Sequence, residues 1–445
     1  MPSLKLVNGK NPRQIAFRIL QARCEGEYTE TLLEQALNPE NTKISTIDRA
    51  LCQELVYGVV RRQATLDWLI ARKTDGRQQN AGLQNLLRLG LYQIFFLDRI
   101  PPHAAVHETV EQAKRDGYGP KAGFINAILR GYLREFDATK KLLADLKTSD
   151  PATGYSHPKW LVEKWQKCFG AERLRQLLEW NNLPPKMFAR VNTLKADPGK
   201  LLETWRAEDV EYDFVRRDFL GADMENMAFE LKSHPPLTSL TSFRDGWFYI
   251  QDPSTLFAPL ELAAKPGETI LDLCAAPGGK TTFIAQQMNN EGKIIASDIS
   301  EDRLQLIQEN CQRLGVTCVE PVQSHQLSAI NYRPPKFDRI LIDAPCSNTG
   351  VLRRRVDLRW RVSPDEIARL QLAQLDLLKL AATKLKPGGT LVYSTCSLEP
   401  EENTVVIQEF LRAHPNFKLD RERELLPFTD NVDGAFVARL TSKSH

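Results

Sequence analysis

The run LDLCAAPGGKTT, residues 271–282, constrains the fold of this chain more than any other stretch. Leu271, Asp272 and Leu273 close an apolar run that begins at Thr269 and reads as a buried parallel strand. The small residues and glycines that follow let the backbone turn sharply into a helix. With no large side chain at Ala275, Ala276, Gly278 or Gly279, a flat cofactor can lie against the main chain, its polar atoms facing N–H groups at the helix start.

From Gly267 onward the same alternation continues. Strands are expected at 269–273, 293–297, 317–322, 337–343, 390–394 and 435–439, and helices from Gly279, Glu301, Ser363 and Pro400, the order that a doubly wound sheet requires. Ser363 can cap its helix, Pro364 fits the first turn and Glu366 completes a capping box, while Pro387, Gly388 and Gly389 close it.

A chain of 445 residues has room for two to four domains, so this sheet has company. Apolar content of 42% and charged content of 26% are globular values, and no apolar run approaches the roughly 20 residues that span a bilayer. The start, MPSLKLVNGK, has no apolar core of a secretory signal, so a cytoplasmic protein with no membrane partner is expected. Its eight cysteines form no CxxC pair, which argues against a zinc site and a disulfide framework and for reduced thiols.

Ahead of the sheet, residues 12–135 have helical periodicity: Ile15, Ala16, Ile19 and Leu20 share one face, as do Leu51, Leu55, Val56 and Val59, then Leu86, Leu87, Leu91 and Ile94, then Ile125, Ile128, Leu129 and Tyr132. His103 and His107 lie one turn apart with no third ligand nearby, so no metal is expected. The formal net charge is only +3, but residues 1–140 hold 20 Lys and Arg against 15 Asp and Glu. Residues 136–157 weaken into Lys, Asp, Thr, Ser and Gly and read as a linker. A helical stretch over 158–181 follows, then FARVNTLKAD and short strand-like pieces to Gln251, which suggest a small α/β subdomain. The expected division is 1–140, 158–266 and 267–445.

Through RQIAFRILQ, LVYGVVRRQATLDWLI, LLRLGLYQIFFLDRIPPHAAVHETVE and FINAILRGYLR, the front segment resembles the RNA-binding domain of the antitermination factor NusB. The resemblance makes its basic excess an RNA-facing surface, with Arg61, Arg62, Lys121 and Arg130 as phosphate contacts.

What the cradle holds is open on its own residues. Gly279-Lys280-Thr281 supplies the end of a P-loop, but Cys274 stands where the first glycine belongs. The dinucleotide GxGxxG pattern is absent too, although Asp298, at the end of the second strand, stands where an acid can bind ribose hydroxyls in dinucleotide and S-adenosylmethionine enzymes alike. Two later runs narrow the choice. IDAPCSNTG (342–350) and VYSTCSLEPEEN (392–403) place Asp343, Cys346 and Cys396 at the carboxyl edge of the sheet, on the rim that carries Gly278 and Asp298. A lone cysteine is more often an inert small hydrophobe, but two on loops beside a cofactor cleft point to chemistry. Carbon 5 of cytosine is a poor nucleophile until a thiolate adds to carbon 6; it can then attack an electrophilic methyl, after which a base removes its proton and the thiol leaves. Asp343 can stabilise the adduct at the ring's amino edge, and Lys280 can act as a cation near the base or the thiolate.

LDLCAAPGGKTT, SDISEDR, IDAPCSNTGVLRRR, YSTCSLEPEEN and RVNTLK together resemble the RNA (cytosine-5)-methyltransferases, and with the NusB-like front the chain resembles the bacterial enzymes of that family that act on 16S ribosomal RNA. The resemblance implies an all-α NusB-like bundle, a small α/β connecting subdomain and a Rossmann-like methyltransferase domain, working as a monomer on 16S rRNA with S-adenosylmethionine. It implies that Cys396 is the nucleophile and that Cys346 assists product release. Cys274, Ala275, Ala276, Pro277, Gly278, Gly279 and Lys280 would line the methionine and adenosine, Asp298 would hold the ribose, Arg303 would support that edge and Asp343 would close the pocket. The chain departs from the family twice. Ser324 stands where an acid usually holds the adenine amino group, and Arg353-Arg354-Arg355-Val356 replaces Arg-Arg-His-Pro, adding positive charge near the expected RNA cleft. Two competing readings are an RNA-binding assembly factor without catalysis, which needs none of these thiols, and DNA cytosine methylation, which the NusB-like front and second cysteine disfavour.

Overall fold

The computed structural model describes residues 11–24, 26–38, 44–327 and 336–443. The opening MPSLKLVNGK, on which the absence of a secretory signal is argued, lies outside them. The chain divides into two compact units, Met1–Leu183 with Leu352–Arg361, and Pro184–Val351 with Val362–His445. Among the described residues no helix is long and apolar enough to cross a membrane.

The first unit is helical. Helices Pro12–Arg23, Thr46–Arg61 and Ala81–Phe96 start at Asn11, Ser45 and Asn80, whose side chains accept a backbone N–H of the first turn. Ala81–Phe96 buries residues on every side, as the central helix of a bundle must. Its neighbours approach closely through glycine: a Cβ on Gly58 would sit 1.9 Å from the Tyr92 ring. The stretch expected to be a linker is instead the helix Phe136–Ser149. Phe136 stacks on Phe95 at 5.6 Å between centroids and Leu146 is buried, so a few apolar residues at helical spacing outweigh the polar composition.

Leu352–Arg361 belongs to this unit although it follows the second unit's Val351 in sequence. Val356 joins the bundle core. Asp357 accepts from Arg23 Nε at 2.5 Å and from the Thr29 N–H at 2.6 Å, capping a helix whose own Tyr28 offers no side-chain cap. Arg359, fully buried, donates to the carbonyls of Arg61, Ser156 and Asn181 and to Asn182 Oδ1. The three arginines of Arg353–Arg355 differ in burial: Arg353 is buried with its guanidinium 3.9 Å from the Trp180 ring centroid, Arg354 is half-buried, and Arg355, which supplies the added charge, is exposed and pairs with Glu30. Among the expected phosphate contacts, Lys121 and Arg130 are exposed, whereas Arg61 is buried and Arg62 packs over Phe96.

The second unit holds two sheets. A four-stranded antiparallel sheet is built from β1 (Met187–Val191), β2 (Glu211–Phe214), β3 (Ala228–Ser233) and β4 (Phe248–Ile250) in the order β2-β3-β1-β4, with Trp205 of helix Pro198–Ala207 filling its core against Phe229 and Phe248. The larger sheet contains β5 (Thr269–Leu273), β6 (Lys293–Asp298), β7 (Val319–Gln323), β8 (Phe337–Asp343), β9 (Leu385–Thr395), β10 (Phe417–Leu425) and β11 (Ala435–Ser442) in the order β10-β11-β9-β8-β5-β6-β7. β5 to β9 are parallel, and β11 runs antiparallel to both β9 and β10. The strand β10 is absent from the expected set; its run FKLDREREL is mostly charged, as suits a sheet edge. From β5 the chain builds outward through β6 and β7, then crosses back to β8 on the other side, which makes the carboxyl end of β5 the switch point where such sheets bind ligands.

Candidate active site

Register decides which side chains meet at that rim. Leu273 pairs with Ile342 and Asp343 with Ser394, so the loops after β5, β8 and β9 leave the sheet side by side.

The loop after β5 is the cradle. Cys274 has φ of 61°, and Gly278, with φ of 98°, precedes helix Gly279–Gln287, a backbone that only glycine adopts at no steric cost. The Ala276–Pro277 peptide is cis. Asp298, 1% exposed at the end of β6, fastens this turn: Oδ2 accepts from the Ala276 N–H at 2.9 Å, and Oδ1 from the Ile299 N–H at 2.8 Å and from Arg303 Nη1 at 3.3 Å. Arg303 Nη2 also donates to the Ala276 carbonyl, and Asn310 Nδ2 to that of Pro277. Beyond β6, Ser324 opens the short helix Ser324–Leu327 with its hydroxyl 3.1 Å from that of Ser297.

The cradle is acidic. Burial, reinforced by Asp343, Asp298 and Asp272, pushes the Cys274 thiol up to about 12. Asp272 itself is fully buried, and burial pushes its carboxyl up to about 7. Its Oδ2 accepts from Thr281 Oγ1 at 2.6 Å, while Oδ1 has no partner among the described residues. Lys280 is not free to bind a phosphate, because its Nζ donates to Asp343 Oδ2 at 2.6 Å. Burial alone would lower the Lys280 pKa, but Asp343 outweighs it and the net shift is upward, so the side chain stays an ammonium. Asp343 is paired with Lys280 and Asp298 with Arg303, which leaves Asp272 Oδ1 as the acceptor without a partner among the described residues. The P-loop reading fails here because its lysine is already engaged, as well as on sequence.

Across the rim, Cys346 Sγ and Cys396 Sγ are 3.3 Å apart. The hydrogen bond to Cys396, followed by burial, holds the Cys346 pKa well above that of an ordinary thiol, so Cys346 is neutral near pH 7. Cys396 is half-buried and donates its S–H to Asn348 Oδ1 at 2.8 Å, while Asn348 Nδ2 donates to the Cys346 carbonyl at 2.6 Å. The two loops are also joined through main chain: the Gly350 N–H donates to the Cys396 carbonyl at 2.9 Å, and the Leu398 N–H to Thr349 Oγ1 at 2.9 Å.

The fold thus brings Lys280, Asp343, Cys346 and Cys396 to one place, with Cys274–Gly279, Asp298, Arg303 and Ser324 gathered around the cradle. Sequence reasoning missed Asn348, Ser394 and Glu402. All three lie inside runs already singled out, and Ser394 is marked only by its register beside Asp343, whose Oδ1 accepts from its hydroxyl at 3.1 Å.

Three stretches of the chain match known families. Residues 259–441 match the family described as 16S rRNA methyltransferase RsmB/F, residues 10–134 match the NusB family, and residues 157–217 match a ferredoxin-like domain of RsmF/B-like methyltransferases. A probable ribosomal RNA small subunit methyltransferase B of Bacillus subtilis is 36% identical, with 97% of this chain and 98% of the relative covered. Among solved structures, a methyltransferase homologue protein from Pyrococcus horikoshii is 33% identical with a TM-score of 0.57, covering 66% of this chain and 98% of its own. NSun6 from the same organism, solved with SFG, is 25% identical with a TM-score of 0.56, covering 65% of this chain and 99% of its own.

Proposed function

The chain belongs to the 16S rRNA methyltransferase RsmB/F family, and from that premise we propose that it methylates carbon 5 of a cytosine in 16S rRNA through an adduct on Cys396, with S-adenosylmethionine as methyl donor. The observation that carries this reading is the pair of thiols 3.3 Å apart beside the Lys280–Asp343 ion pair. DNA methylation needs only one of those thiols, and a binding factor needs neither.

An acidic cradle with an orphaned carboxylate oxygen fits S-adenosylmethionine, which carries a sulfonium and an ammonium; SFG, the molecule solved with NSun6, is an analogue of it. Cys274–Lys280 would line it, Asp298 would accept from the ribose hydroxyls and Ser324 would face the adenine. When bound, it supplies an electrophilic methyl group. The protein does the rest. Cys396, once deprotonated, adds to carbon 6 of an unstacked cytosine. Asp343, held between Lys280 and Ser394, hydrogen-bonds the amino edge of the ring, and Lys280 offsets negative charge that develops there. After transfer a base takes the carbon 5 proton, and Cys346, a neutral thiol in contact with Cys396, assists as the Cys396–carbon 6 bond breaks. In the same reading residues 1–140 bind RNA, 158–266 connect and 267–445 catalyse.

Bisulfite mapping of 16S rRNA with and without the protein tests the activity. Cys396→Ala should abolish methylation and covalent RNA adducts, whereas Cys346→Ala should accumulate an adduct that survives denaturation. Loss of the adduct in Cys346→Ala would reverse the two roles.

A further inference from the structure

Behind the two thiols lies a carboxylate that the reaction as described does not use. Glu402 is fully buried in the turn Pro400–Glu402. Its Oε1 accepts from the Ser347 N–H at 2.8 Å and from Gln374 Nε2 at 3.2 Å, and its Oε2 accepts from Ser397 Oγ at 2.5 Å and from Ser347 Oγ. Ser347 directly follows Cys346, and Ser397 directly follows Cys396. One carboxylate therefore holds the neighbour of each thiol, from a position that is itself anchored. Tyr393 Oη donates to the Glu402 carbonyl at 2.7 Å, and Gln374 Nε2 donates also to the Pro345 carbonyl at 2.9 Å. Burial pushes the Glu402 pKa up, and the hydrogen bonds from Ser347, Ser397 and Gln374 oppose that shift.

We propose that Glu402 is a positioning residue that sets the separation of the Cys346 and Cys396 thiols by tying Ser347 to Ser397, a role that rests on the two-cysteine reading above. Nucleophilic addition and release at neighbouring atoms tolerate little drift, since a 1 Å misplacement costs on the order of a hundredfold in rate. The two serine hydroxyls also lie 3.2 Å from each other, and both face the same Glu402 oxygen.

Phenylarsine oxide reports the separation without any methyl transfer. It bridges two close thiols, forming two As–S bonds and releasing one water while arsenic stays trivalent. The full chain is treated with it, and the bridged Cys346 and Cys396 peptides are quantified by mass spectrometry beside steady-state methylation of 16S rRNA. Glu402→Ala should lower bridging rate and kcat by on the order of a hundredfold, with the KM for S-adenosylmethionine changed less than about twofold because the cradle is untouched. Glu402→Gln should keep both rates near wild type, since its amide has the same shape and the two serine hydroxyls can turn to accept from it. Should Glu402→Ala not fold, Ser397→Ala removes one tie and should lower both rates about tenfold, within the same argument. Wild-type bridging in Glu402→Ala or Ser397→Ala would overturn the proposal, as would Glu402→Gln impaired as badly as Glu402→Ala. A wild-type protein that is bridged by arsenic yet leaves cytosine unmethylated would instead refute the methyl-transfer reading.

Discussion

Replacing Asp272 by asparagine should stabilise the protein at alkaline pH and do little in acid. The side chain is fully buried, and its carboxyl is raised from the ordinary 3.8 to about 7. A carboxyl with a raised pKa binds its proton more tightly in the folded than in the unfolded chain, so stability is greatest below the unfolded value, falls as pH rises toward about 7 and is flat above it. At 1.36 kcal/mol per pH unit of that interval, ionising Asp272 inside the fold costs about 4 kcal/mol in all, roughly 3 of which fall between pH 5 and pH 8. Asparagine keeps an acceptor for Thr281 Oγ1 and leaves one polar atom unpaired where Oδ1 already lacks a partner. The variant carries the same shape without the charge. Urea titrations followed by circular dichroism at pH 5 and pH 8 should show the difference between Asp272→Asn and wild type widening by up to about 3 kcal/mol in favour of the variant. Saturating S-adenosylmethionine should shrink that advantage, because a bound cation favours the ionised acid. A difference that is the same at both pH values would refute the reasoning.

Two structural substitutions probe how the loops are held. Asp357→Ala removes the carboxylate that pairs with Arg23 and caps the helix Thr29–Leu37, leaving the half-buried Arg23 with Gln63 Oε1, and loss of the charged hydrogen bond and the cap should cost about 3 kcal/mol, read from the urea midpoint. Gly350→Ala would place a Cβ 2.6 Å from the Gly434 carbonyl oxygen and 2.8 Å from that of Cys396. The Cys396 loop must then move, and single-turnover methylation should slow by on the order of a hundredfold.

The cradle and the two cysteine loops are legible because each is local. LDLCAAPGGKTT carries in consecutive residues the strand, the turn and the helix start, and a strand that ends in a short motif fixes where that motif points. Period and spacing are enough to put Asp298, Asp343, Cys346 and Cys396 on one rim, and the register of β8 on β9 then brings Asp343 beside Ser394. Glu402 is a different kind of residue. In EPEEN it is one acid among three, and nothing within ten residues distinguishes it from Glu401, which is half-buried. Its partners Ser347 and Gln374 lie 55 and 28 residues away, on a loop and a helix that only the folded sheet brings together.

The same limit explains why counting charge misreads the arginines. A formal sum treats Arg61, Arg353 and Arg359 as positive surface available to RNA, yet an arginine has five donors that can be satisfied without any carboxylate. Arg359 shows how: three backbone carbonyls and one asparagine oxygen hold it in the bundle, with burial pushing its pKa down and no acid to offset it. Those carbonyls belong to Arg61, Ser156 and Asn181, three places that no periodicity links. Such an arginine is a fastener for helix ends, and its charge is a cost that the unit bears. The surface left for phosphate is correspondingly smaller, with Lys121 and Arg130 exposed on it. An RNA-affinity scan should therefore find its salt-dependent losses at those two positions, while Arg359→Met should shift the unfolding midpoint instead. Equal loss of affinity and unchanged stability in Arg359→Met would show that the buried guanidinium reaches RNA after all.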